Sequence, residues 1–119
     1  MRHPTLHQNA RARRNDFRDA GAVSYLAAVL AKEAGGHTEA AALAAEAIAL
    51  LATQDPANAK LLGRRGVIRH LVGLTSAGRH FKGDPSAVKA PEAAAEALWA
   101  LCTAHTANIG VAIQASVRL

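Results

Sequence analysis

The chain has 119 residues, of which 50% are apolar, and carries a formal charge of +5 with a pI near 10.2. This length suits one hydrophobic core, and the single cysteine excludes an internal disulfide and a cysteine-based zinc cluster. Glu46 interrupts the longest apolar stretch and the first residues lack an apolar run, so neither a membrane span nor an export signal is predicted. We expect an intracellular protein, cytoplasmic or alternatively nuclear, without membrane contact.

The composition predicts helices throughout the chain. About a quarter of the residues are alanine, the strongest intrinsic helix former, whereas aromatic residues amount to only 3%. The β-branched and aromatic residues that strands favour are sparse, so no sheet is expected. The sequence therefore predicts an all-α fold.

Residues 1–14 read as a basic tail or cap, because Arg11, Arg13 and Arg14 cluster there. His3 and His7 have i, i+4 spacing, but a proline lies between them and no carboxylate completes a ligand set, so no metal site is expected. A second basic cluster follows near the middle of the chain, around Arg64 and Arg65.

Two segments of the chain are nearly the same. The stretch AAEAIALLATQDPAN, which ends at Asn58, returns as AAEALWALCTAHTAN, which ends at Asn108, 50 residues later. Gly21 and Gly66, 45 residues apart, begin a second pair of similar segments. Repeats of this period in an alanine-rich chain are typical of helical solenoids.

Each repeated unit is predicted to hold a short helix, a glycine turn, a second helix and a longer third helix. Glycine at the turn favours a positive φ. The third helices are each predicted to bury one stripe, formed by Ala44, Ala45, Ile48, Leu51 and Ala52 and by Ala94, Ala95, Leu98, Leu101 and Cys102. Asp55 and Pro56 are predicted to end the first of these helices, Pro91 to begin the second, and 75–90 to form a loop.

The pattern G-[AV]-[VI]-x-x-L, followed by a helix A-A-x-A-[IL]-x-x-[LC] and an asparagine, resembles armadillo repeats, with HEAT repeats as the nearest alternative. The resemblance implies a short right-handed solenoid: repeat 1 at 15–57, repeat 2 at 58–107 with the inserted loop 75–90, and a partial third repeat or cap at 108–119. The positions of the importin-type tryptophan and asparagine hold Glu46 and Leu50, then Glu96 and Ala100. Ser116 replaces the glycine of a third unit.

Such a fold implies a protein-interaction scaffold that binds a partner segment in a concave groove between the third helices. The residues expected in the groove are Glu46, Thr53, Glu96, Trp99 and Thr103. Acidic side chains around one tryptophan suit a basic or amphipathic protein or peptide. The alternatives are that Trp99 is buried between units and that the glutamates are merely solvated. Two units leave apolar ends uncovered, so either residues 1–14 and 108–119 cap them, or two chains pack end to end, or the chain belongs to a longer solenoid. Self-association through the solenoid ends is expected.

The alternative function is nucleic-acid binding through the two arginine clusters, at Arg11, Arg13 and Arg14 and at Arg64 and Arg65. Few aromatic residues are interleaved with these arginines, so we rank this function below protein binding. No phosphate-binding loop or nucleophile–base pair is recognisable, and Cys102 occupies a predicted core position. We therefore expect no enzymatic activity and no cofactor.

Overall fold

The computed structural model describes residues 21–33, 38–77 and 89–117, and every regular element in these ranges is an α-helix. The helices are α1 (Ala22–Lys32), α2 (Glu39–Ala52), α3 (Pro56–Arg64), α4 (Val67–Ala77), α5 (Lys89–Ala104) and α6 (Ala107–Val117). Since no strand occurs in the described ranges, they confirm the predicted all-α class.

Two glycines make the turns that precede α1 and α4. Gly21 has φ 85° and Gly66 has φ 78°, which are backbone conformations that a side chain with a Cβ rarely adopts. A Cβ added at either position would meet nothing within 4 Å, so the backbone conformation and not crowding requires glycine. The positive φ predicted for both positions is confirmed.

The segment between α2 and α3 ends one helix and starts the next. The helix α2 ends at Ala52, and the Asp55 side chain then caps α3 by accepting a hydrogen bond from the backbone N–H of Asn58 at 3.2 Å. Pro56 is the first residue of α3, where the missing N–H costs nothing. Asp55 is only 3% exposed, so this cap lies inside the packed structure.

Residues 75–90 were predicted to form a loop, but helices occupy both ends of this range. Helix α4 continues to Ala77 and α5 begins at Lys89, whereas 78–88 lie outside the described residues. Pro91 is therefore the third residue of α5 instead of the first. Its position in the first turn still needs no backbone donor, because the first N–H groups of a helix have no partner within it.

The core lies around α4 and between α2 and α5. The contact between α2 and α5 is the most extensive one, and α4 contacts α1, α3, α5 and α6. Alanines dominate the buried positions of α2 and α5, whereas α4 contributes the larger Ile68, Leu71 and Leu74. Small residues let α2 and α5 approach closely, and the branched residues of α4 fill the wider space beside them.

The buried face of α5 is rotated relative to the predicted stripe. All five positions predicted for α2 are buried, but in α5 Ala95 is exposed and Leu98 and Cys102 are only half-buried. The residues that α5 buries are Ala90, Ala93, Ala94, Ala97, Ala100 and Leu101. On α2 the equivalent positions are covered by α5. No described helix covers that side of α5, so those positions of α5 stay exposed or half-buried.

Asn58 and Asn108, the landmarks of the sequence repeat, make equivalent hydrogen bonds. The side-chain Nδ2 of each donates to a carbonyl near the end of the preceding helix, at 2.9 Å in both cases: Asn58 to Leu51 and Asn108 to Leu101. Asn108 also donates to the carbonyl of Ala59 at 3.1 Å. It therefore links the end of α5 to α3 across 49 residues of sequence.

Candidate partner-binding groove

A groove runs along the line where α2 and α5 lie side by side. The starts of the two helices share one part of its lining, and the later turns of both share the other, so the helices run in the same direction. The first part has a volume of about 300 Å³ and the second about 530 Å³. With 14 residues, α2 is about 20 Å long, which is the span of about six residues of an extended chain.

Carboxylates dominate the part near the helix starts. Its charged lining residues are Glu39, Glu46, Glu92, Glu96 and Lys89. The four carboxylates outweigh the one ammonium group, so the groove is negative although the whole chain carries +5. A negatively lined groove attracts cationic groups and raises their local concentration.

The other part of the groove is apolar. Trp99 and Leu50 line it with Ala49 and Ala100, and the two large side chains are 69% and 72% exposed. The alternative that Trp99 is buried between units therefore does not hold. Glu46 and Glu96 also line this part, so the apolar floor and the carboxylates form one continuous surface.

Four of the five residues predicted for the groove line it: Glu46, Thr53, Glu96 and Trp99. Thr103 is exposed but does not belong to the lining. Its hydroxyl donates to the carbonyl of Trp99 at 2.8 Å, and the hydroxyl of Thr53 donates in the same way to Ala49 at 2.6 Å. Both hydroxyls are thus engaged with their own helices.

Several lining residues were not predicted from the sequence, among them two glutamates and two leucines: Glu39, Glu92, Leu43 and Leu50. A signal for them was present in the spacing. Glu39 and Glu46, like Leu43 and Leu50, are seven residues apart and therefore share one face of α2, while Glu92 and Glu96 are one helical turn apart. Because leucine is usually buried in the core, the spacing of Leu43 and Leu50 alone did not indicate that they line an exposed groove.

The second basic cluster spans α3, the turn that follows it and the start of α4. Lys60, Arg64, Arg65 and Arg69 are all exposed there. Arg11, Arg13 and Arg14 lie outside the described residues. Burial, with a smaller contribution from the charge of Arg69, lowers the pKa of the neighbouring His70.

The described ranges contain few reactive or metal-binding groups. Cys102 is half-buried, and burial raises the pKa of its thiol. Within 21–33, 38–77 and 89–117, no group of three or more histidine, cysteine or acidic side chains is arranged to hold a metal ion. No helix in these ranges combines the length and the apolar character needed to cross a bilayer.

Comparison of the chain with protein-family models, with curated proteins and with solved structures gives no significant match.

Proposed function

We propose that the chain is a protein-interaction module that binds a basic, amphipathic segment of a partner protein in the groove between α2 and α5. The observation that carries the proposal is the lining itself, where an exposed tryptophan and an exposed leucine lie next to four carboxylates. Large exposed apolar side chains bordered by charge are typical of surfaces that a partner covers.

The two parts of the groove define the partner's chemistry. An apolar side chain would pack against Trp99 and Leu50, and lysine or arginine side chains would lie against Glu46 and Glu96 and the carboxylates beyond them. Tryptophan supplies a large contact area at a low cost in conformational entropy, so most of the affinity is expected there. The exposed carboxylates would contribute chiefly to specificity and to the association rate.

The proposed architecture is an armadillo-like helical solenoid of two units. Three described features support it: the parallel contact of α2 with α5, the positive φ of Gly21 and Gly66, and the equivalent hydrogen bonds of Asn58 and Asn108. In such an architecture the groove is the concave surface, and it serves binding without catalysis. The raised pKa of Cys102 fits this, because it lowers the fraction of reactive thiolate at neutral pH.

Selection from a random peptide display library tests the binding proposal. Peptides recovered on the wild-type chain are expected to be enriched in lysine or arginine and to contain a leucine or an aromatic residue. By isothermal titration, Trp99→Ala should weaken a recovered peptide at least about tenfold, which corresponds to about 1.4 kcal/mol. Binding should also weaken as salt is raised, because the carboxylates are exposed.

The matched pair Glu96→Gln and Glu33→Gln separates the groove from overall charge. Each variant removes one negative charge, but Glu96 lines both parts of the groove and Glu33 lines neither. Only Glu96→Gln should weaken the peptide. Failure to recover any peptide, or peptides indifferent to both Trp99→Ala and Glu96→Gln, would refute the proposed site.

Nucleic-acid binding is the second candidate, favoured by the four exposed basic side chains on α3, on the start of α4 and in the turn between them. This function predicts that the chain binds an oligonucleotide and that the binding weakens steeply as salt is raised. The double substitution Arg64→Gln with Arg65→Gln should reduce that binding. The peptide-binding groove should be unaffected by that double substitution, since neither arginine lines it.

A further inference from the structure

The far side of the second unit is an uncovered apolar surface. On α6, Ile109 and Ile113 are 46% and 59% exposed, and α6 carries no charged residue between Ala107 and Val117. Next to it on α5, Ala95 is exposed and Leu98 half-buried. A helix that is apolar on nearly every face is normally covered on every face. We call this surface, formed by Ala95, Leu98, Ile109 and Ile113, the trailing face.

The equivalent positions in the first unit are covered. They lie fifty residues earlier in the sequence and are Ala45, Ile48, Ala59 and Gly63. The first three are 0% exposed, and a Cβ added at Gly63 would collide with the side chain of Asn108. In the first unit these positions are closed because the second unit, and in particular α5 and α6, packs beside α2 and α3. The trailing face is therefore the surface onto which a further unit of this kind fits.

The first unit exposes the other half of such a contact. Ala93 and Ala100, on the wall of α5 that meets α2, are only 4% and 3% exposed. Their equivalents on α2 are Leu43 and Leu50, which are 57% and 72% exposed. The equivalent of the buried Ala97 is the half-buried Ala47. We call the surface of Leu43, Ala47 and Leu50 the leading face.

We propose that a second copy of this chain packs its leading face onto the trailing face of the first, head to tail. The occupant follows from continuity: the two uncovered surfaces are the two halves of the contact that the units already make inside one chain. The inference rests on the proposed repeat architecture, not on the groove being a binding site. Leucine on the leading face replaces the alanine of the internal contact, so the helices of two copies lie farther apart than α2 and α5.

Head-to-tail contacts do not close on themselves unless the rotation between copies forms a ring. Mass should therefore grow with concentration without stopping at a dimer. Since each copy carries +5 and the contact is apolar, association should strengthen as salt is raised, because screening reduces the repulsion between copies. This is opposite to the salt dependence of peptide binding in the groove.

Sedimentation velocity with two blocked variants tests the arrangement. Ala47→Glu places a charge on the leading face and Ile113→Glu on the trailing face, and neither residue lines the groove. Each variant alone should lose at least about tenfold in self-association, corresponding to about 1.4 kcal/mol. Mixed together, they should form a dimer that stops at two copies, because each contributes its intact face.

Gln114→Glu is the matched control. It adds the same charge to α6, but the equivalent position in the first unit is Arg64, which is exposed there and so lies outside the internal contact. It should associate like the wild type. Circular dichroism checks that the variants fold, and Ala47→Lys with Ile109→Lys, which also lie outside the groove lining, replace any that do not.

A wild-type chain that stays monomeric at every concentration and salt would overturn the proposal, whatever the variants do. So would an Ala47→Glu variant that still dimerises alone, since that result would indicate a symmetric contact through α6. The groove is tested separately: a wild-type chain that self-associates but binds no recovered peptide refutes only the groove site, and a wild-type chain that binds the peptide but stays monomeric refutes only the head-to-tail contact.

Discussion

Substitution of Gly63 by alanine should destabilise the fold although alanine is the better helix former. Within a helix, glycine is less stable than alanine by about 0.5–1 kcal/mol, so propensity alone predicts a gain. A Cβ at this position of α3, however, would collide with Oδ1 of Asn108, which is only 4% exposed. The side chain of Asn108 must move, and its two hydrogen bonds are then lost.

The magnitude follows from those two bonds. Nδ2 of Asn108 donates to the carbonyls of Leu101 and Ala59 at 2.9 and 3.1 Å, and each such bond contributes about 1 kcal/mol to stability. The carbonyl of Leu101 keeps a second donor, the N–H of His105 at 3.2 Å, so no large additional penalty is expected there. A loss of about 2 kcal/mol against a gain of about 0.5–1 kcal/mol leaves Gly63→Ala destabilised by about 1–1.5 kcal/mol.

Removal of Asn108 should reverse the sign. In Asn108→Ala the obstacle is gone, so adding Gly63→Ala should raise stability by the propensity term of about 0.5–1 kcal/mol. Urea unfolding followed by circular dichroism on the wild type, both single variants and the double variant gives the coupling energy, expected near 2 kcal/mol. A stabilised Gly63→Ala in the wild-type background, or a coupling near zero, would refute the role assigned to Asn108.

Substitutions at three further positions test a turn, a helix cap and a partly buried histidine. Gly66→Ala should cost about 1–2 kcal/mol by urea unfolding because of its positive φ, and Gly66→Asn less; equal losses would mean that the left-handed conformation is not the cause. Asp55→Ala should cost about 1–2 kcal/mol, measured in the same way, since it removes the cap of α3; an unchanged midpoint would contradict this. The pKa of His70 is lowered from 6.5, so the unfolded chain binds its proton at higher pH than the folded chain, and the free energy of unfolding should fall as pH drops below 6.5. His70→Gln should make that fall shallower in melts at a series of pH values, and identical slopes would show that His70 does not contribute.

The sequence predicted the helices and the turns well because those depend on local chemistry. Alanine content gave the all-α class, and a glycine before an apolar helical segment gave the positive φ at positions 21 and 66. Pro91 predicts a start of α5 that is two residues too late, because a proline is tolerated anywhere in the first turn of a helix and so does not define where the helix begins.

The sequence could not predict which face of each third helix lies open. The two helices read almost the same, yet Ile48 is 0% exposed and its equivalent Leu98 only half-buried. The difference arises from neighbours: α5 lies beside α2, whereas no described helix lies at the corresponding side of α5. For the same reason the exposure of Trp99, Leu43 and Leu50 depends on tertiary packing and not on their own spacing.

Trp99 gives the chain a built-in optical reporter. It is the sole tryptophan of the sequence and is 69% exposed at the groove, so the emission of the folded chain should already resemble that of a water-exposed indole. Unfolding should then shift the emission wavelength very little, whereas a bound partner that excludes water from the indole should shift the emission to shorter wavelengths. Intrinsic fluorescence should therefore be a weak probe of unfolding and a direct probe of binding in the groove.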